Sequence, residues 1–86
     1  MASLNGKIII EIVKERSDQD EQWGGPTHDD THSREDWCCF IENQLMQIRN
    51  SNEDISIFRA RMVKVAALAV AAIERTDRYV QGFKNV

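Results

Sequence analysis

The sequence predicts an all-α protein, a compact bundle of about three helices with a long Ala-rich central helix, which packs as a homo-oligomer. Apolar residues recur at helical spacing in three segments, and Gly, Pro, Asn and Ser cluster between these segments. With 86 residues, of which 42% are hydrophobic and 29% charged, the chain is a single soluble domain, 1–86. A monomer of this size buries only about 60 to 65% of its unfolded surface. Association with further copies would therefore stabilise it.

The first helix is predicted over residues 7–21. At 100° per residue, Ile8, Ile9, Ile12 and Val13 fall in one sector together with the stem of Arg16. The charged residues lie on the opposite side of this helix: Glu11, Lys14, Glu15 and Asp18. We therefore expect the isoleucine face to pack inward. Gly24, Gly25 and Pro26 follow, and they predict a helix end and a turn.

Residues 22–33 are predicted to form an ordered loop that ends at a helix cap. Ser33 and Asp36 have the spacing of a capping box, with Asp in place of the usual Glu. A second helix should then run over 34–49. Its apolar stripe comprises Trp37, Cys38, Ile41, Leu45 and Ile48. Gln44 projects into the middle of this stripe and Gln47 lies at its edge beside Phe40, so the helix presents amides toward the core.

A third helix is predicted over 53–80. Ser51 or Asn52 is the expected N-cap, Glu53 and Asp54 would occupy the first turn, and Gly82 would close the helix. The centre of this helix, residues 65–73, is apolar on all sides and includes five alanines. Two short helices cannot cover such a surface completely, so we expect the long helices of a homodimer or homotetramer to pack on each other.

Composition restricts the function classes. The net charge is −3, with four basic and nine acidic side chains in residues 1–36 and seven basic and five acidic in residues 37–86. This basic excess is too small for a general nucleic-acid binder. No apolar run reaches membrane-spanning length and no secretory signal begins the chain, which predicts a cytoplasmic protein without membrane contact. The adjacent Cys38 and Cys39 are expected to be reduced and structural.

Several motifs follow one another along nearly the whole chain: ERxxQDxxWGG at 15–25, HDD at 28–30, DW at 36–37 and VKVAALAVAAIERTDR at 63–78. In this order they resemble the short MazG-like proteins of the all-α nucleoside triphosphate pyrophosphohydrolase superfamily. The resemblance implies a helical dimer or tetramer that hydrolyses nucleoside triphosphates to the monophosphate and pyrophosphate. It also implies Mg²⁺ ions held by an E-E-x-x-E motif on one helix and an E-x-x-D motif on the next.

The chain departs from this pattern at every expected metal ligand. Asn43, Gln44 and Gln47 stand where the three glutamates of the first motif would be, and Arg61 and Lys64 stand where the second motif has Glu and Asp. Neutral amides beside two cations oppose Mg²⁺ binding. We therefore expect impaired or lost catalysis and no bound cofactor, with Mg²⁺ only if the family activity is retained. A shift of register offers alternative catalytic carboxylates at Glu42, Glu74 and Asp77.

The loop between the first two helices allows two interpretations. Four of its side chains could bind a divalent metal, either Zn²⁺ through the imidazoles or a hard ion through the acids: His28, Asp29, Asp30 and His32. Alternatively, the aspartates make turn or cap contacts and His28 bonds a backbone group, which is the interpretation we favour. Gly24 and Gly25 lack the Lys and Ser or Thr of a phosphate-binding P-loop.

The remaining candidates also have structural alternatives. Trp23 and Trp37 could stack on a nucleobase, or they could pin the loop to the helices. Arg61, Lys64 and Arg75 fall within a 60° sector that suits a phosphate, or a solvated or subunit-pairing face. Three functions therefore stay open: a Mg²⁺-dependent pyrophosphohydrolase, a metal-independent nucleotide or anion binder, and a helical oligomeric adaptor. The ligand-binding candidates of the second are Gln44, Gln47, Arg61, Lys64 and Trp23.

Overall fold

The computed structural model describes the backbone of residues 5–52 and 54–84, and the side chains there except those of 28–29 and 81–84. All elements in the described part of the chain are helices: α1 (Gly6–Trp23), α2 (Gly25–Asp29), α3 (Arg34–Arg49) and α4 (Ile55–Lys84). The all-α prediction is confirmed. The prediction of three helices is wrong by one, because the loop expected at 22–33 contains the short α2.

The start and end of α1 are determined by local chemistry. Asn5 is the N-cap, and its side chain accepts a 2.8 Å hydrogen bond from the backbone N–H of Lys7. Gly24 adopts a φ of 99° and donates its N–H to the Asp20 carbonyl at 2.9 Å, which closes the helix in the left-handed conformation that glycine allows. The predicted stop at Gly24 is therefore confirmed. Pro26 lies in the first turn of α2, where its missing N–H costs nothing.

The predicted cap of α3 is present. Asp36 donates its backbone N–H to the Ser33 hydroxyl at 3.2 Å, and Ser33 donates its own N–H to the Asp36 carboxylate at 3.0 Å. These two hydrogen bonds satisfy two donors that a helix start leaves unpaired. The predicted range 34–49 agrees with the observed helix.

The predicted start and end of α4 are both wrong. The carboxylate of Asp54 accepts the N–H groups of Ser56 and Ile57 at 2.9 and 3.1 Å and thus serves as N-cap, so neither Ser51 nor Asn52 does. An aspartate accepts these two bonds better than a hydroxyl or amide because it is charged. The helix continues through Gly82 to Lys84. Glu53 lies outside the described residues.

Helix α4 is the centre of the molecule, since α1, α2 and α3 all pack against it. No Cα atom of α1 lies within 8 Å of a Cα atom of α3. The two helices therefore flank α4 with a gap between them. Among the described residues the buried apolar side chains are few, namely Trp37, Ala67 and Ala71. The monomer consequently has a very small apolar core.

The inward face of α1 differs from the prediction. Val13 and Ile9, expected to pack inward, are 62% and 44% exposed, whereas Glu15, expected on the opposite side, is half-buried. Glu11, expected on the solvent side, accepts two hydrogen bonds from Arg59 of α4. The ion pairs with α4, and not the packing of its isoleucines, therefore determine which face of α1 turns inward.

None of the helices in the described part of the chain combines the length and apolarity that crossing a bilayer requires.

Candidate functional site

The gap between α1 and α3 is a cleft of about 500 Å³ whose floor is formed by α4. One wall comes from the C-terminal half of α1 and the other from the middle of α3, and residue 32 closes one end. The lining is mainly polar and aromatic: Glu15, Arg16, Gln19, Gln22, Trp23, His32, Phe40, Asn43, Gln44, Lys64, Leu68 and Ala71. A cleft of this volume accommodates a small organic ligand.

Three of the five residues that the resemblance aligns with metal ligands line this cleft together. Asn43 and Gln44 come from α3, and Lys64 reaches it from α4. The Gln44 Oε1 atom is shielded from solvent and has no hydrogen-bond partner among the described residues. A shielded amide oxygen without a donor costs about 1 to 3 kcal/mol, so this position favours a ligand or water that donates a hydrogen bond. The sequence prediction that Gln44 faces inward is confirmed.

The other two motif residues bond each other. Arg61 donates from Nη1 to Oε1 of Gln47 at 2.8 Å and thereby links α4 to α3. A guanidinium therefore lies where the resemblance places a metal carboxylate. Neither residue lines the cleft. The donor set of amides and cations does not fit Mg²⁺, which prefers carboxylate and water oxygens.

Arg16 forms the most connected polar contact in the wall of the cleft. Its side chain, 12% exposed, lies 3.2 Å from Glu74 of α4 and 3.0 Å from Asp20. It also donates to Gln19 Oε1 at 3.4 Å. Because two carboxylates neutralise this guanidinium, Lys64 is the cleft cation with the greater capacity to attract a further anion.

Aromatic rings close the end of the cleft near the α3 cap. The His32 ring packs edge-on against Trp37 and Phe40, at centroid distances of 5.6 and 4.9 Å. His32 Nδ1 also lies 3.6 Å from the Asp36 carboxylate. The backbone N–H of Ser33 holds the pKa of that carboxyl below its ordinary value, so Asp36 is ionised at neutral pH. Trp37 is buried, while Trp23 is 55% exposed at the cleft rim.

The predicted loop metal site receives no support from the described side chains. Asp30 bonds Arg78 at 2.8 Å, and His32 packs in the aromatic cluster. The side chains of His28 and Asp29 lie outside the described part. Among the described residues no group of three or more His, Cys, Asp or Glu side chains could hold a metal ion.

The alternative carboxylates do not share a site. Glu42 and Asp77 are exposed on α3 and α4, and neither lines the cleft. Glu74 forms the ion pair with Arg16. Cys38 and Cys39 are free and exposed, so placing Cys38 in the apolar stripe of α3 is wrong. Partial desolvation of the thiol, together with the negative charges of Glu35 and Glu42, raises the pKa of Cys39, which keeps this thiol protonated at neutral pH.

Of the α1 wall of the cleft, the sequence prediction included only Trp23. Glu15, Gln19 and Gln22 are spaced four and three residues apart and therefore lie on one face of the helix. Together with Trp23 this polar stripe was the available signal. The isoleucines of α1 form a stronger periodic pattern, which predicted that a different face of the helix packs inward. The three cations expected to share one face of α4 make different contacts. Lys64 lines the cleft, Arg61 bonds Gln47, and the Arg75 guanidinium lies 5.5 Å from the centre of the Tyr79 ring.

Comparison with protein-family models, with curated proteins and with solved structures finds no match for this chain. Fold and site together define a small all-α protein with a polar, aromatic-rimmed cleft between two helices.

Proposed function

We propose that this chain is a MazG-like protein that binds a nucleotide in the cleft without a metal ion and has lost pyrophosphohydrolase activity. The observation that carries the proposal is the joint lining of one cleft by Asn43, Gln44 and Lys64. These residues occupy motif positions on two different helices. A shared cleft is what a common ligand requires.

Charge supports binding without metal. Five motif carboxylates would contribute −5, whereas Asn43, Gln44, Gln47, Arg61 and Lys64 contribute 0, 0, 0, +1 and +1, a sum of +2. Carboxylates repel a triphosphate unless divalent cations intervene. Amide N–H₂ groups and an ammonium group donate hydrogen bonds to phosphate oxygens directly. The amides and cations of this chain could therefore bind the phosphates as Mg²⁺ ions would, but they would not activate a water molecule for hydrolysis.

The remaining lining suits the other parts of a nucleotide. Trp23 and Phe40 offer aromatic surface for a nucleobase. The shielded Gln44 oxygen accepts a hydrogen bond from an amino or hydroxyl group of the ligand. Glu15, opposite on α1, is a second acceptor. Polar groups at several points of an apolar-edged cleft fix the orientation of a ligand.

Titration calorimetry with ribo- and deoxynucleoside triphosphates in excess EDTA tests this function. Binding should occur in EDTA, and Lys64→Gln should weaken it by roughly tenfold or more, since it removes a charge-assisted phosphate contact. Lys14→Gln, which removes the same charge from the exposed face of α1, should not. Absence of heat with every triphosphate at high protein concentration would refute the proposal.

Catalysis is tested separately by ion-exchange analysis of products after incubation with the same triphosphates and Mg²⁺ or Mn²⁺. We expect neither monophosphate nor pyrophosphate. If both form and are lost in Glu42→Ala or Glu74→Ala, the placement of the motifs is wrong and the protein is an enzyme.

A helical adaptor without a ligand is the second candidate function. It is favoured by the large apolar side chains on the surface, such as Ile10 at 70% exposed and Ile73 at 59% exposed. An adaptor would form a stable assembly whose melting temperature does not respond to nucleotides.

A further inference from the structure

An apolar stripe runs along the side of α4 that α1, α2 and α3 leave uncovered. At 100° per residue its six members fall within a 60° sector, roughly opposite the buried Ala67 and Ala71. We term this set the outer stripe: Ile55, Met62, Ala66, Ala69, Ile73 and Val80. Its large members are exposed, Ile55 by 84% and Ile73 by 59%. An apolar face of this length is typical of a helix that pairs with another helix.

The spacing of the outer stripe is the same in both directions along α4. Successive members are 7, 4, 3, 4 and 7 residues apart, so the stripe is symmetric about the point between Ala67 and Leu68. If a second α4 lies antiparallel with its midpoint at this position, Ile55 meets Val80 and Met62 meets Ile73. Ala66 of each copy then meets Ala69 of the other copy, and these small side chains allow the two helix axes to approach closely.

Further apolar surface on the described residues adjoins the outer stripe. A groove between α1 and α4, lined in part by Ile9, Val13 and Val70, adds apolar surface.

Charges beside the stripe also match. Arg59 and Asp77 lie on the same flank, and the midpoint between them nearly coincides with that of the stripe. In an antiparallel pair, Asp77 of each copy therefore faces Arg59 of the other copy, which gives two such contacts in the dimer. Asp77 has no hydrogen bond or ion pair among the described residues, and Arg59 uses only part of its five donors on Glu11. A parallel pair would instead bring together two segments that carry Arg59, Arg61 and Lys64 without acids.

We propose that the outer stripe binds a second copy of this chain, with the two α4 helices antiparallel and crossing between Ala66 and Ala69. The inference does not depend on the ligand of the cleft, which opens on the other side of α4.

Sedimentation velocity of the full chain tests the pairing. The wild type should sediment as a dimer of about 20 kDa, twice the monomer mass. Ile73→Glu should raise the dissociation constant roughly 100-fold or more, because each dimer then buries two unpaired carboxylates. Met46→Glu, at an α3 position that is also 59% exposed, is the matched control and should leave the dimer intact. Far-UV circular dichroism verifies that both variants stay helical. A monomeric wild type, or a dimer insensitive to Ile73→Glu, would overturn the proposal.

Distance measurement between spin labels tests the direction. A single Ile55→Cys label in a Cys38→Ser, Cys39→Ser background should report a separation of about 38 Å along the axis, from 25 residues at 1.5 Å each. A separation on the order of 15 Å would mean parallel helices and would contradict the antiparallel assignment.

Discussion

The two sides of α4 differ in a way that reverses the usual arrangement of a small protein. On the inner side, Ala67 and Ala71 are buried, yet charged and amide side chains such as Arg16, Lys64 and Gln44 line the adjoining cleft. On the outer side, Ile55 and Ile73 are exposed. If the two proposals are right, the inner side holds the ligand and the outer side holds a second copy of the chain.

The largest stability effect should distinguish these two sides directly. Ala67→Leu inserts three heavy atoms at a position with no exposed surface, and we expect it to lower the free energy of unfolding by about 1 to 3 kcal/mol. Ala69→Leu, two positions away on the outer stripe, should change the stability of the monomer little. Denaturant unfolding in an Ile73→Glu background measures both. Equal losses at both positions would show that the outer side is packed within the monomer.

Carboxylates introduced at the two α4 positions that the resemblance aligns with metal ligands should convert the inner side into a cation site. Arg61→Glu with Lys64→Asp changes the local charge by −4 and breaks the Arg61–Gln47 hydrogen bond. We expect measurable Mn²⁺ binding, with a dissociation constant on the order of 1 mM, detected by electron paramagnetic resonance. Lys14→Asp with Arg75→Glu introduces the same charge change elsewhere and should bind no better than wild type. No gain in the first variant would contradict the motif placement.

A smaller effect is expected at the rim of the outer stripe. Asp77→Lys would place a cation opposite the partner's Arg59, and the dimer dissociation constant should rise by roughly 3- to 10-fold at low salt. The increase should diminish at 1 M salt, where charges are screened within about 3 Å. Asp18→Lys on α1 is the control. Tighter association of Asp77→Lys would instead indicate a parallel pair or another face.

The smallest effect concerns pH and the helix starts rather than either side of α4. The Ser56 side chain and the Ile57 backbone N–H hold the pKa of the Asp54 carboxyl below its ordinary value. The folded pKa thus lies below the unfolded one, so this stabilisation is present above about pH 4 and is lost as pH falls through the folded value. Asp54→Asn should therefore reduce the decline in melting temperature between about pH 4 and pH 2. Asp18→Asn should leave that decline as it is in wild type.

Local rules predicted much of the fold. The Ser33–Asp36 capping box gave α3 its start, and Gly24 gave α1 its end, because both depend on hydrogen bonds within a few residues. The start of α4 was missed because Ser51, Asn52 and Asp54 are all acceptable caps, and the sequence prediction did not weigh the charge of Asp54. The short α2 was missed because Gly25 and Pro26 resemble a turn.

The cleft was predicted from its α3 and α4 walls and from Trp23 at the end of α1. Motif positions indicated Gln44 and Lys64, and both line it. The rest of its α1 wall was missed, since the isoleucines gave the stronger periodic signal and Glu11 and Arg16 pair with residues far along the chain. Such long-range ion pairs leave no pattern in the sequence around them.

Calorimetric titration of one bound triphosphate, first in EDTA and then with excess Mg²⁺, tests the central claim that the cleft binds a nucleotide without metal. We predict equal affinity within about twofold in the two conditions, because the site supplies amides and Lys64 rather than carboxylates. Binding that occurs only with Mg²⁺ would show that a metal site survives in this chain and would contradict the claim.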